Sequence, residues 1–315
     1  MAAGAERRLS PQRRGAAGLT TAMANDLYRQ IKTAFQNLNP HELREMAEQP
    51  LNIGIVASSG ENYARIVDEL LPPPTTRARR HEVEHVLHRA ADDAVNRYDL
   101  LLCDEELLCP PEAFRFHRSE PHLTVANILE NRPELALQLA RSFAPFRRPV
   151  ISKIVKTIAK ENAAFAAVSA LPNVIPSFIE LPWAVGEFAS DTAFLTMNQV
   201  RMTFLIAAAS DREIGYREQR AQIASIVGGA FGWRAIAREL VGKIPLGGGV
   251  IPKAAIAYAG TYTVGVALER FYRIGYGMTR AERRETYEKA FERGKEIVAG
   301  IIESARGERR PESIA

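Results

Sequence analysis

LNIGIVASSGEN, residues 51–62, decides how the first half of the chain is read. Seven residues of this run, Leu51 to Ala57, are almost wholly apolar, follow Pro50, and give way to Ser58, Ser59 and Gly60. That pattern predicts a buried strand and a tight polar turn. Tyr63, Ile66, Val67 and Leu70 then recur at helical spacing, so the order is strand, turn, helix, the opening unit of an α/β nucleotide-binding fold. A second buried strand, Tyr98 to Cys103, ends at Asp104, and a third short one is expected at Phe114 to His117.

Working outward, Leu27, Ile31, Phe35 and Leu38 space as one face of a first helix. Asn39, Pro40 and Glu42 then supply an N-cap, a first-turn proline and an acidic third position for a second helix. Pro72, Pro73 and Pro74 break the chain, and His81 to Asn96 reads equally as helix or as strand plus helix. From about Leu123 onward the pattern is helical, with a final helix that begins at Thr279 and has Glu282 as capping-box partner. The expected fold class is α+β. A small degenerate α/β domain of P-loop type at 22–145 precedes an all-α domain rich in small residues at 146–305, with a basic tail at 1–21 and a second tail at 306–315.

Ser58–Gly60 is where a P-loop belongs, yet the parts that handle phosphate are missing. Ile55 stands at the first glycine position, Glu61 at the lysine and Asn62 at the Ser/Thr that would meet magnesium. A carboxylate there repels polyphosphate. Asp104 could imitate a magnesium-orienting aspartate, but Glu105 and Glu106 follow it in place of a glycine, and no Asn-Lys-x-Asp guanine-reading motif occurs. Ser58, Ser59, Gly60 and Asp104 therefore stand as weak anion-site candidates, no cofactor is expected, and a divergent nucleotide-binding protein is the alternative reading. A minor alternative is a metal-dependent hydrolase: His81-Glu82-x-x-His85, with His88 one turn on, matches a zincin spacing, but Arg77, Arg79 and Arg80 crowd it with positive charge.

Totals narrow the classes further. The chain has 315 residues, 46% hydrophobic and 25% charged, with net charge +4, and no aromatic-plus-basic stripe that would point to nucleic acid. Cys103 and Cys109 are too few and too close for a disulfide framework, which favours a reducing, cytosol-facing compartment; no apolar segment follows the basic N-terminus as a secretory signal requires. Arg147, Arg148, Lys153, Lys156 and Lys160 form a basic helix suited to an anionic leaflet, or simply to water. Gly228 and Gly232 have the spacing that lets a neighbouring helix approach closely. Ala254 to Leu268 carries no charge but is too short to span a bilayer.

ALPNVIPSFIELPWAVGEFASDTAFLTMNQVRM, Ala170 to Met202, and KIPLGGGVIPKAAIAYAGTYTVGVALERFY, Lys243 to Tyr272, resemble the domain of unknown function found beside bacterial GTPases and in YcjF-type inner-membrane proteins. Pro172, Pro176, Gln199, the Ile244-Pro245 step, Gly247–Gly249, Thr261 or Thr263, and Gly265 carry the likeness over about a third of the chain. It implies an all-helical, often membrane-associated module joined to a GTPase domain, with no catalytic residues. The expectation is a non-catalytic scaffold at the cytoplasmic face of the cell membrane. Its partner would be the membrane surface or a membrane-associated protein such as a GTPase, and a homo-oligomer is compatible with it.

Overall fold

A computed structural model describes residues 38–90, 97–170, 191–228 and 249–307, which are 70% helical around a small sheet of four parallel strands. The expected helix at Leu27–Leu38 lies almost wholly outside those residues. Helix α1 (Pro40–Glu48) starts as its sequence predicts, with the Asn39 carboxamide oxygen accepting from the His41 N–H. Strand β1 (Ile53–Val56) is buried on both faces, as a continuous apolar run in a parallel sheet must be. Gly54 is required in it, since a Cβ there would lie 2.6 Å from the Tyr98 ring. Helix α2 (Gly60–Leu70) follows, capped by the Ser59 hydroxyl on the Asn62 N–H, with Ile66, Val67 and Leu70 turned inward.

The ambiguous stretch divides into helix α3 (Arg77–Glu84) and strand β2 (Leu87–Arg89). Strands β3 (Leu100–Asp104) and β4 (Phe114–Phe116) complete a sheet of order β2-β1-β3-β4, with Ile55 opposite both Arg89 and Leu102. The chain leaves β1 toward β2 on one side and returns to β3 on the other. The carboxyl ends of β1 and β3 therefore flank a topological switch point, the usual crevice of open α/β sheets.

Helices α4 (Pro121–Asn131) and α5 (Ala136–Ser142) lead to α6 (Ala144–Ala170), which runs through Pro149 without interruption. No linker separates sheet from helices here. One buried cluster extends from Ile53, Leu102 and Phe116 through Phe143 and Phe146 into Val155 and Phe204. Helix α7 (Asp191–Ala209) ends in a turn where Asp211 adopts φ 58° and Arg212 N–H reaches the Ala207 carbonyl. Glycine is the usual residue at such a position. An aspartate is used because its carboxylate is needed: Arg79 of α3 and Arg147 of α6 meet it at 3.1 and 3.6 Å, tying the sheet side to the bundle.

Helix α8 covers 220–228, and α9 (Val250–Ile274) and α10 (Arg280–Gly307) close the bundle. α9 ends at Gly275, whose φ of 83° needs glycine, and the capping box of α10 forms, with Thr279 N–H donating to Glu282 at 2.8 Å. Burial of the small residues explains why their composition is so uniform: Ala159, Ala163, Ala254 and Ala257 let α6 and α9 pack closely. Close approach between helices occurs at Gly265, where a Cβ would sit 2.6 Å from the Val155 methyls, and at Gly294, 3.2 Å from the Ala255 backbone. It does not occur at Gly228: no described residue lies within 4 Å of a Cβ there, and Gly232 lies outside the described residues. Among the described residues no helix is long and apolar enough to cross a membrane.

Candidate functional site

Five side chains from four elements meet at the switch point. Ser58 follows β1, Asn62 sits in the first turn of α2, Asp104 ends β3, Glu106 lies in the turn beyond it, and Arg118 follows β4. Ser58 Oγ donates to Asp104 Oδ2 at 3.0 Å and accepts from Asn62 Nδ2 at 2.6 Å. Arg118 spans the group, with one guanidinium nitrogen 2.6 Å from Asp104 and another 2.6 Å from Glu106. Asn62 also donates to Glu106 at 3.2 Å.

Asp104 has a side chain with 0% exposure, so its charge must be matched locally. Burial pushes its carboxyl up, but hydrogen bonds from Ser58, Arg118 and the Glu106 N–H, together with the Arg118 charge, bring it below the ordinary carboxylate value. Arg118 is held above its own ordinary value, first by its hydrogen bond to Glu106 despite desolvation, then by Asp104. Ser58 is poorly placed as a nucleophile. Its proton points at a carboxylate whose depressed pKa makes a weak base, and among the described residues Ser58 is linked to no imidazole.

The acid facing any phosphate at this turn is not Glu61. That side chain is largely exposed and turns along the helix to Arg65, at 3.0 Å. Glu106 and Asp104 fill the crevice in its place, and the compensating cation comes from Arg118. Sequence reasoning missed Arg118 because a single arginine after a three-residue strand has no periodic signature; only the strand order brings it beside Asp104. Ser59 and Gly60 stand at the mouth, Ser59 as the α2 cap and Gly60 with open space where its Cβ would be.

Cys103 and Cys109, expected to be too few and too close for a disulfide framework, form one disulfide across the same turn, with Cα atoms 5.7 Å apart. The chain reverses at Asp104–Glu106 and brings the two together, which a count of cysteines does not anticipate. The pairing removes the support that the count gave to a reducing compartment.

Of the three candidate histidines, two share helix α3 and the third lies on β2. His81 is exposed on α3, His85 caps that helix, and His88 is exposed on β2, 6.2 Å from the Tyr98 ring centroid. Glu82 pairs with Arg79 at 3.0 Å. No group of three metal-type ligands occurs among the described residues.

The basic helix divides in two. Arg147 is withdrawn from the expected surface: it donates to the Ala140 and Arg141 carbonyls at 3.1 and 3.3 Å and faces Asp211, while burial lowers its pKa. Arg148, Lys153, Lys156 and Lys160 are exposed on α6, and none has an acidic partner among the described residues.

A second polar group lies inside the bundle, and of its members the sequence singled out only Gln199 and Thr261. Asn162, with 0% exposure, donates to Thr261 Oγ1 at 2.7 Å and accepts from Asn198 at 3.0 Å. Gln199 also donates to Thr261, and Arg201 pairs with Glu161 at 3.0 Å at the rim.

Comparison with protein-family models, with curated proteins and with solved structures gives no match to this chain.

Proposed function

We propose that the protein is a non-catalytic helical scaffold whose nucleotide-fold crevice is closed by its own side chains. The observation that supports this most directly is the double commitment of Arg118 to Asp104 and Glu106. A polyphosphate entering the turn would have to displace Glu106 from Arg118 and Asn62 and sit beside a buried carboxylate. Phosphate release from GTP and ATP, with magnesium present, tests the reading. Release at the buffer rate is expected; magnesium-dependent release abolished by Asp104→Asn would replace it with the divergent nucleotide-binding alternative.

The second part of the proposal concerns location. From Leu135 to Lys160 the sequence has six cations and no acid: Arg141, Arg147, Arg148, Lys153, Lys156 and Lys160. Two of these are used internally, Arg141 on Glu48 and Arg147 on Asp211. The four that remain favour an anionic leaflet over a neutral protein face, each contributing about 1 kcal/mol near such a surface. The likeness to the GTPase-associated helical module, and a membrane-bound GTPase as partner, belong to this same proposal. Co-sedimentation with phosphatidylglycerol vesicles but not phosphatidylcholine vesicles, lost in the Lys153→Glu, Lys156→Glu, Lys160→Glu triple variant, is the expected result. Equal behaviour with both lipids removes the membrane part.

A further inference from the structure

We infer that the Cys103–Cys109 disulfide is a reversible latch that holds Glu106 over the strand-end crevice, so that the redox state of the pair sets whether Arg118 is fully committed. The inference rests on the reading of that crevice as internally closed. Cys103 is anchored: it is the fourth residue of β3, has 0% exposure, and packs with Val56 and Leu101. Cys109, six residues on, is only partly buried. The turn between them follows Asp104, the last residue of β3, and carries Glu105 and Glu106; Arg118, Asn62 and Ser58 reach Glu106 at 2.6, 3.2 and 3.5 Å, and Leu107 packs against the cluster around Cys103. Its backbone is tied by Leu107 N–H to the Asp104 carbonyl at 3.0 Å, and Leu108 at its tip is 97% exposed. The Arg118–Glu106 pair is half exposed on the Glu106 side, at 54%, and such pairs restrain a loop weakly. The bridge adds a covalent restraint on where Glu106 sits to these exposed hydrogen bonds.

The chemistry is thiol–disulfide exchange with a small thiol such as glutathione. Its thiolate attacks the sulfur of Cys109, the more accessible of the two, and the Cys103 sulfur leaves as a thiolate and takes up a proton. A second glutathione thiolate then attacks the mixed disulfide, releasing Cys109 as a thiol and glutathione disulfide. Two protein thiols and one glutathione disulfide replace one protein disulfide and two glutathiones. The reverse reaction, with glutathione disulfide as oxidant, closes the latch. With the latch open, Glu106 leaves Arg118, which keeps Asp104 as its partner.

The test uses the full chain equilibrated in glutathione buffers of graded ratio. Acid-quenched alkylation counts the thiols, and pulsed hydrogen exchange is measured on the same samples. Expected are a reversible passage from no thiols to two, and amide exchange in 105–109 faster by about tenfold or more in the reduced form, with α6 unchanged. Cys109→Ser should match the reduced wild type in every buffer, and the reduced wild type provides the same comparison if that variant does not fold. Two thiols at every ratio, or identical exchange in both forms, overturns the latch. Nucleotide titration bears only on the closed crevice, so the two ideas fail separately.

Discussion

The strand-end crevice and the polar seam of the bundle are both saturated hydrogen-bond networks, but they differ in charge and in contact with water. The crevice is ionic and opens to solvent through Glu106, which is 54% exposed. The seam is neutral at its centre, with Asn162, Asn198 and Thr261 at 0–1% exposure, and only Glu161 and Arg201 at its rim carry charge. The difference separates two uses of polarity. A sealed neutral network cannot exchange partners without unfolding, so it fixes the register of α6, α7 and α9. An ionic network at a surface can rearrange, so its cost falls on whatever ligand tries to enter.

The largest effect that would sharpen this contrast is expected at Asn162. Asn162→Ala leaves Thr261 and Asn198 short of partners in a dry interior and should cost about 2–4 kcal/mol in urea unfolding. A loss near zero would place water in the seam and erase the distinction. Gly265→Ala tests the same packing through shape: its Cβ would press on Val155 at 2.6 Å, and a cost of about 1–3 kcal/mol is expected.

At the crevice the expected signature is pH dependence. The folded-state pKa of Asp104 lies below its ordinary value, so its network contributes stability that is present above that ordinary value and is lost as pH falls through the lower folded value. Asp104→Asn should flatten this part of the acid limb of a stability–pH curve; an unchanged limb would mean that the network does not hold the charge. The smallest effect is expected at the α2 cap. Ser59→Ala removes the acceptor of the Asn62 N–H and should cost about 1 kcal/mol, without altering the acid limb.

Much of the sheet was legible in the sequence because its strands are buried on both faces and read as plain apolar runs: Ile53–Val56 and Leu100–Cys103 lie where those runs lie. The caps at Asn39 and at Thr279 with Glu282 were legible because capping needs particular side chains at fixed offsets. The helical half gave far less. In α6 and α9 small residues occur on several faces, so periodicity could not tell Gly265 of α9, where a Cβ would meet Val155, from Gly228 of α8, where a Cβ would meet no described residue. Asn162 stood in a charge-free run and Glu161 beside it drew no attention, because their partners are 36 to 99 positions away. The crevice was half legible. Ser58 and Asp104 sit at strand ends visible in the sequence, whereas Arg118, Glu106 and the disulfide depend on which strands are neighbours and on a turn that only the fold defines.

The central claim is that an internal carboxylate, held by Arg118, occupies the place a nucleotide phosphate would need. Equilibrium titration of magnesium–GTP and magnesium–ATP into the disulfide-bonded protein tests it most directly. No saturable binding below about 1 mM, weaker than about 4 kcal/mol of affinity, is predicted. Saturable binding near 1 μM, about 8 kcal/mol, that needs magnesium and is lost in Arg118→Met would contradict it.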